Sequence, residues 1–195
     1  MAMGAFQNFF FFLLIISCYI LTIVSEQEET GFVSSINPKL FKKKENFSHF
    51  RFYWQDIVGG NNATSIPIIP PLPKFNNDYS VFGLVRIFDN ALTLGPKLSS
   101  KLLGRAQGFL ASTSQTELDF LIVMNFALFE GKYNGSVITI SGRDVAYNKT
   151  REMSIIGGSG VFRFAKGYAE ANTISFDPIT VNTIVEYNVF VSHQD

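Results

Sequence analysis

Apolar and polar residues alternate along most of this chain beyond its first fifty or so residues. A period of two marks a strand with one buried face. The clearest run is His49–Ile57: Phe50, Phe52, Trp54 and Asp56 share one face, and His49, Arg51, Tyr53 and Gln55 share the other. Further strands are predicted at Val81–Phe88, Leu102–Thr113, Leu118–Phe129, Val137–Gly142, Met153–Ile156, Val161–Phe176 and Val181–Ser192. Leu118–Phe129 is nearly all apolar, which predicts burial on both faces. Gly104, Ala106 and Gly108 stand at alternate positions, a smooth face suited to close backbone approach or bending. Between the strands, Gly59–Asp78 reads as a long Pro-containing loop folded over a barrel mouth, and Asn90–Ser100 as a turn-rich connection. Asn134-Gly135 signals a hairpin turn at Lys132–Gly135, and Gly157, Gly158 and Gly160 mark a second tight turn. No long amphipathic helical pattern occurs. The chain is therefore expected to be all-β, an antiparallel barrel or sandwich; long strands with mid-strand glycines favour the barrel.

The first residues do not fit that pattern. Phe9–Val24 is almost unbroken apolar sequence, followed by Glu26, Glu28 and Glu29, and small Ser25 suits a cleavage position. Residues 1–25 are expected to be a signal peptide, although the run is also near the length at which a retained anchor begins. Residues 26–48 read as a mobile arm and 49–195 as the barrel domain. The only cysteine, Cys18, lies in the leader, so the mature domain is expected to hold no disulfide, thiol nucleophile or Cys-based metal site. Four glycosylation sequons begin at Asn46, Asn62, Asn134 and Asn148 and fit a secreted glycoprotein; the third falls in a turn, the others in polar connections. The formal net charge is zero, which gives no electrostatic case for nucleic acid as a partner.

The chemistry-bearing residues are few. His49 and His193 have no metal-ligand partner at useful spacing and read as surface residues. There is no nucleophile elbow, and the Gly157–Gly160 stretch lacks the Lys and helix of a phosphate loop. No cofactor signature is present, so oxidation of a substrate would have to come from elsewhere. Asp56, Asp144 and Arg151 remain. An acid at the end of an aromatic, core-directed face is costly to bury unless paired, and functional sites carry such groups; equally, Asp56 could cap the turn into Gly59-Gly60. Asp144 and Arg151 could form an ordinary surface ion pair across a turn. Together with aromatic residues they could bind a phenol, protonate a leaving hydroxyl or stabilise a quinone-methide-like intermediate.

Five segments resemble one family. Phe52-Tyr53-Trp54-Gln55-Asp56, Gly104-Arg105-Ala106-Gln107-Gly108-Phe109, Lys132-Tyr133-Asn134-Gly135-Ser136, the run from Arg151 to Gly160, and Arg163-Phe164-Ala165-Lys166-Gly167-Tyr168 are similar, in order, to motifs of the plant dirigent proteins. The resemblance implies an eight-stranded antiparallel β-barrel, usually a homotrimer, secreted to the apoplast and needing no cofactor or metal. Founding members have no oxidase activity; they take phenoxy radicals made by an external laccase or peroxidase and set the stereochemistry of coupling, as in lignan formation. The implied pocket acids are Asp56 and Asp144, the pocket arginine Arg151 and a pocket threonine Thr173, with Phe52 on the substrate's side. Leu110 stands where the family carries a pocket tyrosine. Gly131-Lys132-Tyr133, Arg151-Glu152-Met153, Phe162-Arg163-Phe164-Ala165 and Val185-Glu186-Tyr187-Asn188-Val189 are similar to the branch that includes pterocarpan synthases. Those dehydrate a 4-hydroxyisoflavan through a quinone methide and close a furan ring. Two expectations stand: a director of radical coupling, and a cofactor-free dehydratase. A structural or sugar-binding barrel would not need all of Asp56, Asp144, Arg151 and Thr173.

Overall fold

A computed structural model describes residues 44–77 and 79–194. The expected signal peptide, Cys18 and all but the end of the arm lie outside the described residues. Nine strands follow in order: β1 Glu45–Asp56, β2 Ser65–Ile69, β3 Val85–Thr93, β4 Leu102–Ser112, β5 Asp119–Leu128, β6 Val137–Val145, β7 Arg151–Ser159, β8 Lys166–Phe176 and β9 Thr183–Gln194. All pairings are antiparallel, in the order β1-β9-β8-β7-β6-β5-β4-β3-β2. Tyr53–Gln55 of β1 also pair with Ala91–Thr93 of β3, which closes an eight-stranded antiparallel barrel. The ninth strand, β2, lies against the other half of β3, so that Ser65 faces Phe88. It extends the wall beyond the point where β1 ends at Asp56.

Of the two all-β folds the pattern allows, the chain adopts the favoured one, the closed barrel, but several boundaries move. β1 begins at Glu45, inside the expected arm, because Glu45–Ser48 pair with Val191–Gln194. The stretch expected as one long loop contains β2, where Pro67 is tolerated on a strand with one free edge and a register shift. β3 lies later than Val81–Phe88: Ala91–Thr93, expected in a turn, carry the pairing that closes the barrel. β7 runs on through Gly157 to Ser159, with a register shift opposite Thr139 and Ile140, so the expected tight turn begins only at Gly160. In a single chain β5 is buried on one face only; Ile122, Met124, Phe126 and Leu128 point inward, while Leu121 is 40% exposed. Among the described residues no second layer covers the wall from outside.

Inward residues fill the barrel. Phe52, Trp54, Phe126 and Tyr187 meet edge-on or stacked with centroids 4.9–6.3 Å apart. Each buried aromatic or aliphatic side chain contributes about 1.5–3 kcal/mol, and each aromatic pair about 0.5–1.5 kcal/mol more. Gly108 explains the smooth face of β4: a Cβ there would lie 2.7 Å from Met124 Cα, so a side chain would push β4 and β5 apart.

Candidate functional site

The end of the barrel reached by the C-termini of β1, β4, β6 and β8 gathers the inward-facing acids and arginines. Parity places them. Asp56 continues the face of Phe52 and Trp54, Asp144 that of Ile138 and Ile140, and Arg151 that of Met153 and Ile155. All three are buried, with Asp56, Asp144 and Arg151 at 5%, 6% and 5% exposure. Neither the turn cap nor the surface ion pair describes them.

They form two sets. In the first, Arg151 Nε donates to Asp144 Oδ1 at 2.8 Å and Nη1 donates to Thr173 Oγ1 at 2.8 Å. Thr173 is exposed at the mouth, so this set runs from the interior to solvent. Gly142, one inward position before Asp144, lets β7 pack close: a Cβ there would lie 2.8 Å from Met153 Cγ on that strand. In the second set, Asn90 Nδ2 donates to Asp56 Oδ1 at 3.0 Å, and the Thr64 hydroxyl fixes the amide by donating to Asn90 Oδ1. Arg86 Nη1 stands 3.7 Å from Asp56 Oδ2, an ion pair too long for a hydrogen bond. Arg86 Nε is buried and finds no hydrogen-bond partner among the described residues.

Burial pushes both carboxyls above the ordinary aspartate range. For Asp56 the nearby Arg86 charge and the Asn90 hydrogen bond oppose it; for Asp144 the charge and hydrogen bond of Arg151 oppose it, and Asp119 adds to it. Tyr187 lies within electrostatic reach of both sets. Burial holds its phenol well above the ordinary value, Asp144 and Asp56 push the same way, and Arg151 opposes. Its hydroxyl and the Trp54 indole nitrogen are buried without a hydrogen-bond partner among the described residues. Phe52 and Leu110 line the interior as buried apolar wall.

Sequence reasoning missed Arg86, Asn90 and Tyr187. For Arg86 the signal was present: it shares parity with Leu84 and Phe88, a cation on an apolar face. Asn90 fell in a stretch expected to be a turn, and a tyrosine among valines carries no warning. The expectation for His193 was wrong. It is 1% exposed, continues the inward face of Val189 and Val191, and its Nε2 lies 3.0 Å from Ser48 Oγ. That places it at the opposite end of the barrel from the acids. His49 does face outward, stacked on Phe190. Asn46 lies on β1 rather than in a connection, with its Nδ2 buried and without a hydrogen-bond partner among the described residues, whereas Asn62, Asn134 and Asn148 are exposed in turns or loops. A groove of about 530 Å³ lies on the outer wall, lined by Phe47, His49, Lys166, Tyr168 and Phe190; it contains none of the inward acids.

The fold is an eight-stranded antiparallel barrel closed around two buried acid–arginine sets. The family model for Dirigent-like protein matches residues 47–192, and the chain belongs to the dirigent family. It is 46% identical over 175 residues to Dirigent protein 7 of Arabidopsis thaliana, covering 89% of this chain and 92% of that protein. It is 40% identical over 178 residues to Pterocarpan synthase 1 of Glycine max, covering 90% and 95%. Among solved structures, the pterocarpan synthase dirigent protein GePTS1 superposes with a TM-score of 0.78 at 38% identity, covering 84% of this chain and all of that one.

Proposed function

We propose that this member of the family is a cofactor-free dehydratase and cyclase of the pterocarpan-synthase kind, acting on a phenolic 4-hydroxyisoflavan. The observation that carries the reading is the pair of buried carboxyls, each with its proton affinity raised by burial and each beside an arginine. A carboxyl that holds its proton more tightly than an ordinary aspartate is suited to give it to a leaving hydroxyl. The carbon–oxygen bond then breaks and water leaves; a phenol proton passes to a base as the quinone methide forms. A second hydroxyl of the same molecule adds to the methide carbon, its proton is released, and the methide oxygen is reprotonated. The net change is loss of one water, with no electron transferred. Likeness to pterocarpan synthases over nine-tenths of the chain supports this.

A second reading, direction of phenoxy-radical coupling with an external laccase or peroxidase, is favoured by the higher identity to a protein named for dirigent activity. A paired assay separates them. Turnover of a racemic 4-hydroxyisoflavan without oxidant, giving a ring-closed product one water lighter, is expected. A chiral dimer formed only with added oxidase, and no isoflavanol turnover, would replace the first reading by the second.

Secretion to the apoplast, glycans on the exposed sequons and a homotrimer are proposed alongside. The apolar run Phe9–Val24 supports the first. Outward Ile87 and Phe109 are register partners on neighbouring strands, half-exposed, and form an apolar row that association would cover. An apoplastic protein whose N-terminus is Met1, or a monomer by light scattering at micromolar concentration, would contradict these proposals.

A further inference from the structure

We infer that Arg86, not Arg151, is the cation that receives the substrate's phenolic oxygen. This rests on the phenolic-substrate reading above and adds a residue that the motifs did not indicate. The two arginines differ in what they have left to give. Arg151 has spent Nε on Asp144 and Nη1 on Thr173 and is nearly sealed. Arg86 keeps an orphan Nε, lies 3.7 Å from its carboxylate, and its side chain is 15% exposed against 5% for Arg151. A guanidinium carries five donors in a fixed fork, and buried donors without acceptors are costly. An oxygen that gains negative charge is the complement of such a fork, and a charge-assisted hydrogen bond to it is strong.

The placement supports this role. Arg86 faces inward from β3, one inward position from Phe88, which packs edge-on against Trp54 at 5.4 Å. An aromatic ring whose oxygen met Arg86 would have apolar wall behind it. The Asp56 carboxyl beside Arg86 is then poised to pass a proton to or from that same oxygen, or to a hydroxyl near it. Ser112 Oγ on β4, buried and without a hydrogen-bond partner among the described residues, faces the same end.

The test uses 4-nitrophenol, whose phenolate is read by its absorbance, titrated against the purified protein over a pH series. Wild type is expected to bind the phenolate preferentially and so lower the apparent pKa of the bound phenol. Arg86→Gln should weaken phenolate binding about 10–100-fold and abolish the pKa shift, and Arg86→Lys should restore part of both. Asp56→Asn, which leaves Arg86 without its carboxylate, should bind the phenolate more tightly than wild type. Should Arg86→Gln not fold, the double variant Asp56→Asn/Arg86→Gln replaces the pair by neutral groups and is expected to lose the shift. A single or double variant that binds phenolate as wild type does would overturn the role of Arg86 and leave the phenolic reading standing. A wild type that binds no phenol in any ionisation state would overturn both.

Discussion

The two acid–arginine sets contain the same charges at the same end of one barrel, yet they are built differently. Asp144, Arg151 and Thr173 form a closed hydrogen-bonded chain in which the arginine reaches both neighbours at 2.8 Å. Asp56 takes its hydrogen bond from a neutral amide, and its arginine stands off at 3.7 Å with a donor unused. A buried ion pair with good geometry offsets its own desolvation and leaves little for a ligand. A looser pair carries the same burial without completing its bonds. The first set is suited to holding strands β6, β7 and β8 in place, and the second to meeting a substrate.

The comparison is most exposed to failure in the rate. A general acid contributes about 10²–10⁴-fold, and Asp56→Asn keeps the shape while removing the ionisable proton. A loss of that size in kcat is expected on the proposed isoflavanol substrate, with the circular dichroism of the barrel unchanged. Asp144→Asn is expected to lower activity as well, partly through weaker folding, because it also removes the charge facing Arg151. If both variants kept wild-type rates and product ratios, neither acid would be the donor.

Stability should show the reverse order. Arg151→Met leaves the Asp144 carboxyl buried without its partner, a change that costs about 3–5 kcal/mol. Urea unfolding at neutral pH should show it, and the double variant Asp144→Asn/Arg151→Met should recover much of the loss. Arg86→Gln should cost less, since no hydrogen bond from Arg86 to Asp56 is broken. Equal losses for the two arginines would mean that the 3.7 Å separation does not mark a weaker pair.

How far the sequence showed this division depends on the residue. Period-two parity put Asp56 and Asp144 on inward faces, and a charged residue on an apolar stripe is a strong signal because burial makes it costly. The same argument applied to Leu84, Arg86 and Phe88 would have found Arg86. That residue lies within the strand predicted at Val81–Phe88, so its parity was legible; Asn90, by contrast, lies past the predicted end of that strand, in a polar stretch that reads as a turn. Asn90 is polar and near Pro96, and its pairing with Ala106 of β4, next to the β1–β3 closure at Ala91–Thr93, makes it strand. Which arginine is satisfied was not legible at all. That depends on distances between β1, β3, β6 and β7, set by barrel closure rather than by local pattern. The all-β class, by contrast, follows from alternation, turn glycines and the absence of helical periodicity, all of which are local; closure into a barrel rests on the distant pairing of β1 with β3.

The pH dependence sharpens the contrast further. Both carboxyls bind their proton more tightly in the folded chain than the ordinary aspartate value of about 3.9. Between that value and each raised value the folded chain holds protons that the unfolded chain has released. The contribution to stability is therefore full below about pH 3.9 and is lost as pH rises through the folded value. Asp56→Asn and Asp144→Asn should each gain on wild type over that window in urea titrations at successive pH values. If neither variant gains on wild type over that window, burial does not hold the two protons more tightly in the folded chain.

The smallest effect is expected at Thr173, and it checks whether the closed set is closed by that residue. Thr173 Oγ1 accepts from Arg151 Nη1 at the solvent-reachable mouth, where water can take its place. Thr173→Val conserves shape and removes only the acceptor. A net hydrogen bond is worth about 0.5–1.5 kcal/mol, and solvent replacement puts the expected loss at the low end. Freed of Thr173, Arg151 would have one more donor available, so Thr173→Val should also raise phenolate affinity in the 4-nitrophenol titration, even in the Arg86→Gln background. A gain there would show that donor satisfaction, rather than position in the barrel, separates the two arginines. If the variant loses several kcal/mol, or binds phenolate no better than its parent, the chain from Asp144 to Thr173 is not what keeps Arg151 from the substrate.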